Sequence, residues 1–301
     1  MKINLLLLVS LLPGLLFSCV SDVDVQLPEH SSKIVLYSVV SDNDTIKGYA
    51  GLSSDLLSEN IGTEDLDIEL FENNELVFQS SILADTHFNT NIIANNNSSY
   101  HFKISSDNQE AEAFTLIPEA PVIEDIKFTD SVFISEFGPV SRVEFVINDS
   151  LNKPRFYEVE LSAFYDLYYP NGEPYPGSIF YGFNSHPIII AEDIERFAPY
   201  SIVFSNRLFN KTRQTISIYY YRVSFFENGP VDYDYKLIVE CKSITEDLYL
   251  YKKSLFKHLE TQSPDIVDGF DQINDVYSNI INGYGVLGAT NIVLDTVNKI
   301  Q

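Results

Sequence analysis

Leu66-Asp67-Ile68-Glu69-Leu70-Phe71 alternates apolar with acidic residues, and that period of two constrains the fold more than any other feature of the chain. Such a pattern fits an extended strand with one face on a core and the other in water. Asn73-Asn74 follows, a pair suited to a tight turn, and then comes Leu76-Val77-Phe78. Together these pieces predict a β-hairpin. Val35-Leu36-Tyr37-Ser38-Val39-Val40, Tyr100-His101-Phe102-Lys103-Ile104 and Ala111-Glu112-Ala113-Phe114-Thr115-Leu116-Ile117 read as further strands, the first two running into polar turns. The chain is therefore expected to be mainly β, opening with an immunoglobulin-like β-sandwich over residues 34–118. Pro118 and Pro121 bracket an extended stretch and mark the expected boundary to a larger β-rich domain, 119–301.

That second part begins as strands: Val143 to Ile147, Phe156 to Leu161, Ile216 to Val223 and Tyr235 to Val239. The period then changes. Ser243 or Thr245 offers an N-cap, and Glu246-Asp247 suits the positive end of a helix dipole. Leu248, Tyr251, Leu255 and Leu259 recur at helical spacing, which predicts a helix near 245–260 with one apolar stripe on a sheet. A glycine-rich C-terminal tail follows. Its Gly283-Tyr284-Gly285-Val286-Leu287-Gly288 is a literal G-x-G-x-x-G, but too few residues follow Gly288 for the βαβ unit of a dinucleotide site. The glycines are better explained by positive φ where the chain folds tightly against the body.

At the other end, Lys2 precedes the apolar run Leu5 to Leu12, broken by Pro13-Gly14. This charged-then-apolar plan is that of a signal peptide, expected over 1–18, and it is shorter than the roughly 20 residues that span a bilayer. Leu16-Phe17-Ser18-Cys19 resembles the bacterial lipobox, in which the cysteine sulfur takes a diacylglyceryl group before cleavage in front of it. The expectation is a membrane lipid on Cys19 and a polar tether over 19–33. Val20-Ser21-Asp22-Val23-Asp24 resembles the acidic export signals of Bacteroidota surface lipoproteins, so the expected place is the outer membrane, on the cell surface, with its periplasmic leaflet as the alternative.

Chemistry is sparse. A formal net charge of −24 sets the surface against nucleic acid. Once Cys19 carries lipid, only Cys241 remains, in a strand-like run that predicts a buried thiol. His30, His87, His101, His186 and His258 show no metal-ligand spacing, and there is no G-x-S-x-G nucleophile elbow. No catalytic residue, metal or cofactor is expected. One stretch is suited to recognition: Phe164 to Gly177 joins aromatics to a loop rich in proline and glycine, and Tyr165, Tyr168, Tyr169 and Tyr175 are the expected partner contacts.

Ser243-Ile244-Thr245-Glu246-Asp247-Leu248-Tyr249-Leu250-Tyr251, then Ser278-Asn279-Ile280 and Gly283 to Ala289, resembles the C-terminal signature of domain of unknown function 4249, a family of Bacteroidota lipoproteins. Tyr284 and Leu287 depart from it, standing where that family often has leucine and an aromatic residue. The resemblance implies an envelope accessory of the kind often encoded beside TonB-dependent outer-membrane receptors. On that basis the expected role is a non-catalytic accessory or ligand-binding partner of such a receptor, with a free-standing surface adhesin as the alternative. The family supplies no catalytic residues to carry over.

Overall fold

The computed structural model describes residues 31–54, 64–135, 138–168, 174–181, 188, 201–223, 235–261 and 274–298. Seven strands come first: β1 (Ile34–Ser41), β2 (Thr45–Leu52), β3 (Asp65–Glu72), β4 (Glu75–Leu83), β5 (Thr86–Ile93), β6 (Ser99–Ser105) and β7 (Glu110–Leu116). The alternation at Leu66 to Leu70 does what it predicts, burying Leu66, Ile68 and Leu70. β3 and β4 form the expected hairpin, with Glu72 opposite Glu75 and both Asn73 and Asn74 at positive φ.

Strands β5-β2-β1 share one sheet and β4-β3-β6-β7 another. First, second and fifth strands against third, fourth, sixth and seventh make an immunoglobulin-like sandwich whose fourth strand lies in the second sheet. Ile34, Leu36, Ile46, Ile68 and Phe102 meet in a single core between them. Tyr100, buried near the start of β6, adds a tyrosine corner: its hydroxyl accepts from the Asn95 backbone N–H at 2.7 Å and donates to Glu72 at 3.0 Å.

The remaining strands are β8 (Val122–Ser135), β9 (Gly138–Asn148), β10 (Phe156–Tyr168), β11 (Pro174–Tyr181), β12 (Ile202–Ser205), β13 (Arg213–Val223) and β14 (Tyr235–Ile244), then helix α1 (Glu246–Thr261) and β15 (Tyr284–Asn298). The protein is mainly β, with α1 and a short 3-10 turn at Asn206–Leu208 beside the strands. Inward residues of β9, β13, β10 and β14, such as Phe145, Ile218, Val159 and Val239, form a second core. The helix buries Leu248 and Tyr249 against Phe156, Val203 and Ile244, with Leu250 and Phe256 partly buried. Its stripe therefore differs from the expected one: Leu259 is 52% exposed, because the contact lies at the first turns, where α1 meets β15.

The C-terminal segment is not a tail. β15 lies inside an eleven-stranded sheet, parallel to β1 from Val35–Tyr284 to Ser41–Thr290 and antiparallel to β14 from Ile244–Thr290 to Lys236–Asn298. It gives Leu287 and Ala289 to the sandwich core, so residues 34–118 share their first sheet with the end of the chain. Asn291 also donates to the Pro118 carbonyl at 3.1 Å, tying down the proline segment expected as a boundary. Residues 32–301 make one compact unit.

Two glycines allow this insertion. Gly285 has φ of +106°, and a Cβ there would sit 2.0 Å from the Leu36 carbonyl oxygen. A Cβ on Gly288 would lie 2.8 Å from Leu248 Cβ, so α1 rests directly on the strand. Because β14 ends opposite Thr290, the earlier half of β15 has no strand along that edge among the described residues. Polar groups replace it. Thr245 N–H donates to the Ala289 carbonyl at 3.0 Å, and its hydroxyl accepts from Ala289 N–H at 3.2 Å. The Asn279 carboxamide donates to the Leu287 carbonyl and accepts from Leu287 N–H, both at 2.9 Å. The Thr245 hydroxyl, offered with Ser243 as a cap for the helix, is thus used on the sheet.

Candidate functional site

β7 ends the four-stranded sheet, and its inner and outer faces are reversed in size. Ala111, Ala113 and Thr115 face the core, while Phe114 and Leu116 are 52% and 55% exposed. Phe71, His101 and Phe114 stack in a row across β3, β6 and β7, with ring centroids 5.4 Å and 4.0 Å apart. His101 is held in that row by Glu112, at 3.0 Å from its Nε2.

The edge of β7 borders a cleft of about 730 Å³, a volume in the range of ligand sites. Phe114 to Glu119 form one side, Lys153 to Phe156 the end, and Ser243 to Asp247 at the start of α1 the far side. Glu119 joins both Lys153, at 3.1 Å, and Arg155. The Lys153 hydrogen bond and the Arg155 charge hold the Glu119 carboxyl below its ordinary range. Arg155 is oriented from behind by buried Asp149, which also accepts from the Tyr157 hydroxyl at 2.8 Å and Asn206 at 2.9 Å. Three of the residues around the cleft carry a buried polar atom with no hydrogen-bond partner: Thr115 Oγ1, Ser243 Oγ and Arg155 Nε. Buried polar groups ordinarily find partners, so these three are hydrogen-bonding positions that the fold itself does not use.

A second polar cluster lies on the sheet beside α1. Glu158, only 1% exposed, is paired with Lys252 and lies 3.8 Å from Lys242, which also meets Glu160 at 2.6 Å and Glu240 at 2.9 Å. Burial pushes the Glu158 carboxyl up, but the two lysines outweigh it and leave the group below its ordinary 4.5. Lys242 is pushed down by burial and, more strongly, up by the carboxylates around it, ending above its ordinary 10.5. Glu158 therefore stabilises the fold fully above about pH 4.5 and loses that contribution as pH falls through its depressed native value. Lys242 contributes below about pH 10.5 and ceases to as pH rises through its native value. Urea midpoints measured from pH 7 down to 3 should fall less steeply for Glu158→Gln, itself less stable at pH 7, than for the native chain. Parallel acid limbs would show that the ion pairs do not join the helix to the sheet.

The residues singled out in the sequence do not assemble at the cleft. Cys19 and Tyr169 lie outside the described residues, as do His30 and His186. Tyr165 and Tyr168 are on β10, opposite Tyr235 and Pro174, and Tyr175 is on β11. The stretch expected as a loop is thus strand on both sides of 169–173. Cys241 is buried, which pushes its thiol up to about 12 and leaves it protonated at neutral pH. His87 packs edge-on to Tyr49, and His258 contacts the Asn274 carbonyl at 2.7 Å. Among the described residues no group of three His, Cys, Asp or Glu side chains is placed to hold a metal ion, and no helix is long and apolar enough to cross a membrane. Phe114, Leu116, Lys153 and Arg155 were not singled out in the sequence. The available signal was the inverted strand Ala111 to Leu116, small residues inward and large ones outward.

A family model described as "Domain of unknown function (DUF4249)" matches residues 20–294. No curated protein matches the chain. Among matching solved structures is the crystal structure of bovine butyrophilin, 12% identical, covering 71% of this chain and 92% of that one at a TM-score of 0.21.

Proposed function

The chain belongs to the family described as domain of unknown function 4249, and from that premise we propose that it is a lipid-anchored envelope protein that acts by binding another polypeptide, as the non-catalytic accessory of a TonB-dependent outer-membrane receptor. The observation that carries the binding half of this reading is the cleft beside β7, where exposed Phe114 and Leu116 flank unpartnered buried polar atoms. Exposed apolar side chains rimmed by polar groups are a mark of interaction surfaces. The anchoring half is supported by the lipobox-like Leu16 to Cys19, with the family match beginning at the next residue.

The test has two arms. Cells fed an alkyne fatty acid should label the native chain and leave Cys19→Ser unlabelled and released from the membrane; equal labelling of both rules out the anchor. Native protein drawn from detergent-solubilised outer membrane should bring a TonB-dependent receptor in stoichiometric amount. Recovery of a matrix or host protein in its place favours the adhesin, and recovery of neither ends the receptor reading.

A further inference from the structure

The main chain of β7 points alternately to its two sides. Glu112 N–H donates to the Ile281 carbonyl at 3.2 Å and Ile281 N–H donates to Glu112 at 2.8 Å, so Glu112 faces away from β6. By the period of two, the N–H and C=O groups of Phe114 and Leu116 face the same way, toward the cleft. Ile117 N–H, on the opposite phase, bonds back to Ser98 at 3.4 Å. Among the described residues no strand or bridge pairs with β7 on this side beyond Glu112.

The chain's own continuation is diverted from this edge. Antiparallel pairing extended from the Glu112–Ile281 bridge would set Asn279 beside Phe114 and Tyr277 beside Leu116. Instead the Asn279 carboxamide is committed to Leu287, Tyr277 N–H donates to Ser254 Oγ at 2.7 Å, and the Tyr277 hydroxyl donates to Asp247. Ile280 is buried in the sandwich core. Four anchors thus hold the natural edge strand away, leaving two open backbone positions in line with a bridge already formed.

We propose that the edge of β7 from Phe114 to Leu116 is a strand-addition site, taking an extended basic segment of a partner protein as an antiparallel neighbour that continues the pairing begun by Ile281. Main-chain hydrogen bonds supply the affinity in this mode, and side chains on alternate positions supply the selectivity. Apolar side chains on the added strand's outer face pack beside Phe114 and Leu116. Hydroxyls on its inner face reach the unpartnered Thr115 and Ser243. The basic preference comes from the far wall. Glu119 already holds Lys153 and Arg155, whereas Glu246 is exposed and Asp247 is bonded to a neutral tyrosine hydroxyl. The chain as a whole carries −24, which steers a cation to the same place.

This inference rests on the binding reading above and is tested apart from it. The probe is a capped peptide of alternating threonine and valine with a lysine at each end, about seven residues long, titrated into the detergent-solubilised full-length lipoprotein. Binding is expected to slow amide exchange at Phe114 and Leu116 by at least about tenfold. Leu116→Pro removes only an outward donor, which edge strands tolerate, and should weaken binding about tenfold or more at an unchanged melting temperature. Leu116→Ala keeps the N–H and should retain the exchange protection. The same peptide N-methylated at alternate amides, which leaves the protein untouched, should not bind. No binding of the parent peptide, binding without protection at those two amides, or equal binding of the N-methylated form overturns the proposal. Receptor recovered equally by native protein and Leu116→Pro sinks strand addition but leaves the accessory role standing. If neither variant recovers receptor, the accessory role fails and the peptide titration alone decides the edge.

Discussion

Gly285→Ala is expected to destabilise the protein by more than about 3 kcal/mol, a large fraction of the whole stability of an ordinary domain. Two penalties coincide. The backbone at φ +106° is one that side chains rarely adopt, and the new methyl would lie 2.0 Å from the Leu36 carbonyl oxygen. Leu36 cannot retreat, because β1 is paired with β2 on its other side and Leu36 itself fills the sandwich core. The measurement is the urea unfolding midpoint, with amide exchange along β1 to show where the loss falls. Stability within about 0.5 kcal/mol of native, the range of an inconsequential surface change, would mean that β15 does not occupy the position described.

Asn279→Ala should lose about 2–4 kcal/mol, although the side chain lies only partly buried outside any strand. The carboxamide stands in for a missing strand, satisfying both main-chain groups of fully buried Leu287. Deleting it leaves a buried N–H and a buried C=O without partners, and each such orphan is costly. Asn279→Asp keeps the acceptor for Leu287 N–H but turns a carboxylate toward the carbonyl, so it should not restore native stability. Equilibrium denaturation gives the size of the effect, and faster exchange at the Leu287 amide locates it. An alanine variant as stable as native would show that water replaces the amide without loss.

The parts of this fold that obey a local period were readable from the residues. Leu66, Ile68 and Leu70 point inward as their alternation requires, Asn73-Asn74 turns the chain, and Glu246-Asp247 opens a helix. The last strand was not readable, because its glycines answer to distant partners. Gly285 is shaped by the Leu36 carbonyl and Gly288 by Leu248, and neither neighbour is visible in the local pattern. Asn279-Ile280 stood out within a family signature, but its physical role depends on where β14 stops. The cleft was hidden for a similar reason. That β7 is an edge follows from sheet order, a long-range property, and only the inversion of large and small residues from Ala111 to Leu116 hinted at it. The tyrosines around Tyr168 attracted attention through composition, which does not reveal that β10 and β11 run into the segment from both sides.

The parallel register between β1 and β15 has a kinetic consequence. Strand β1 meets its companion only when residues 284–290 have been delivered, so the central sheet cannot close on a growing chain. Nascent molecules must wait with a half-covered apolar face, the condition that calls for chaperones and invites clumping. Proteolytic or genetic loss of the last segment therefore should not give a smaller stable body, and would instead undo the whole from its middle.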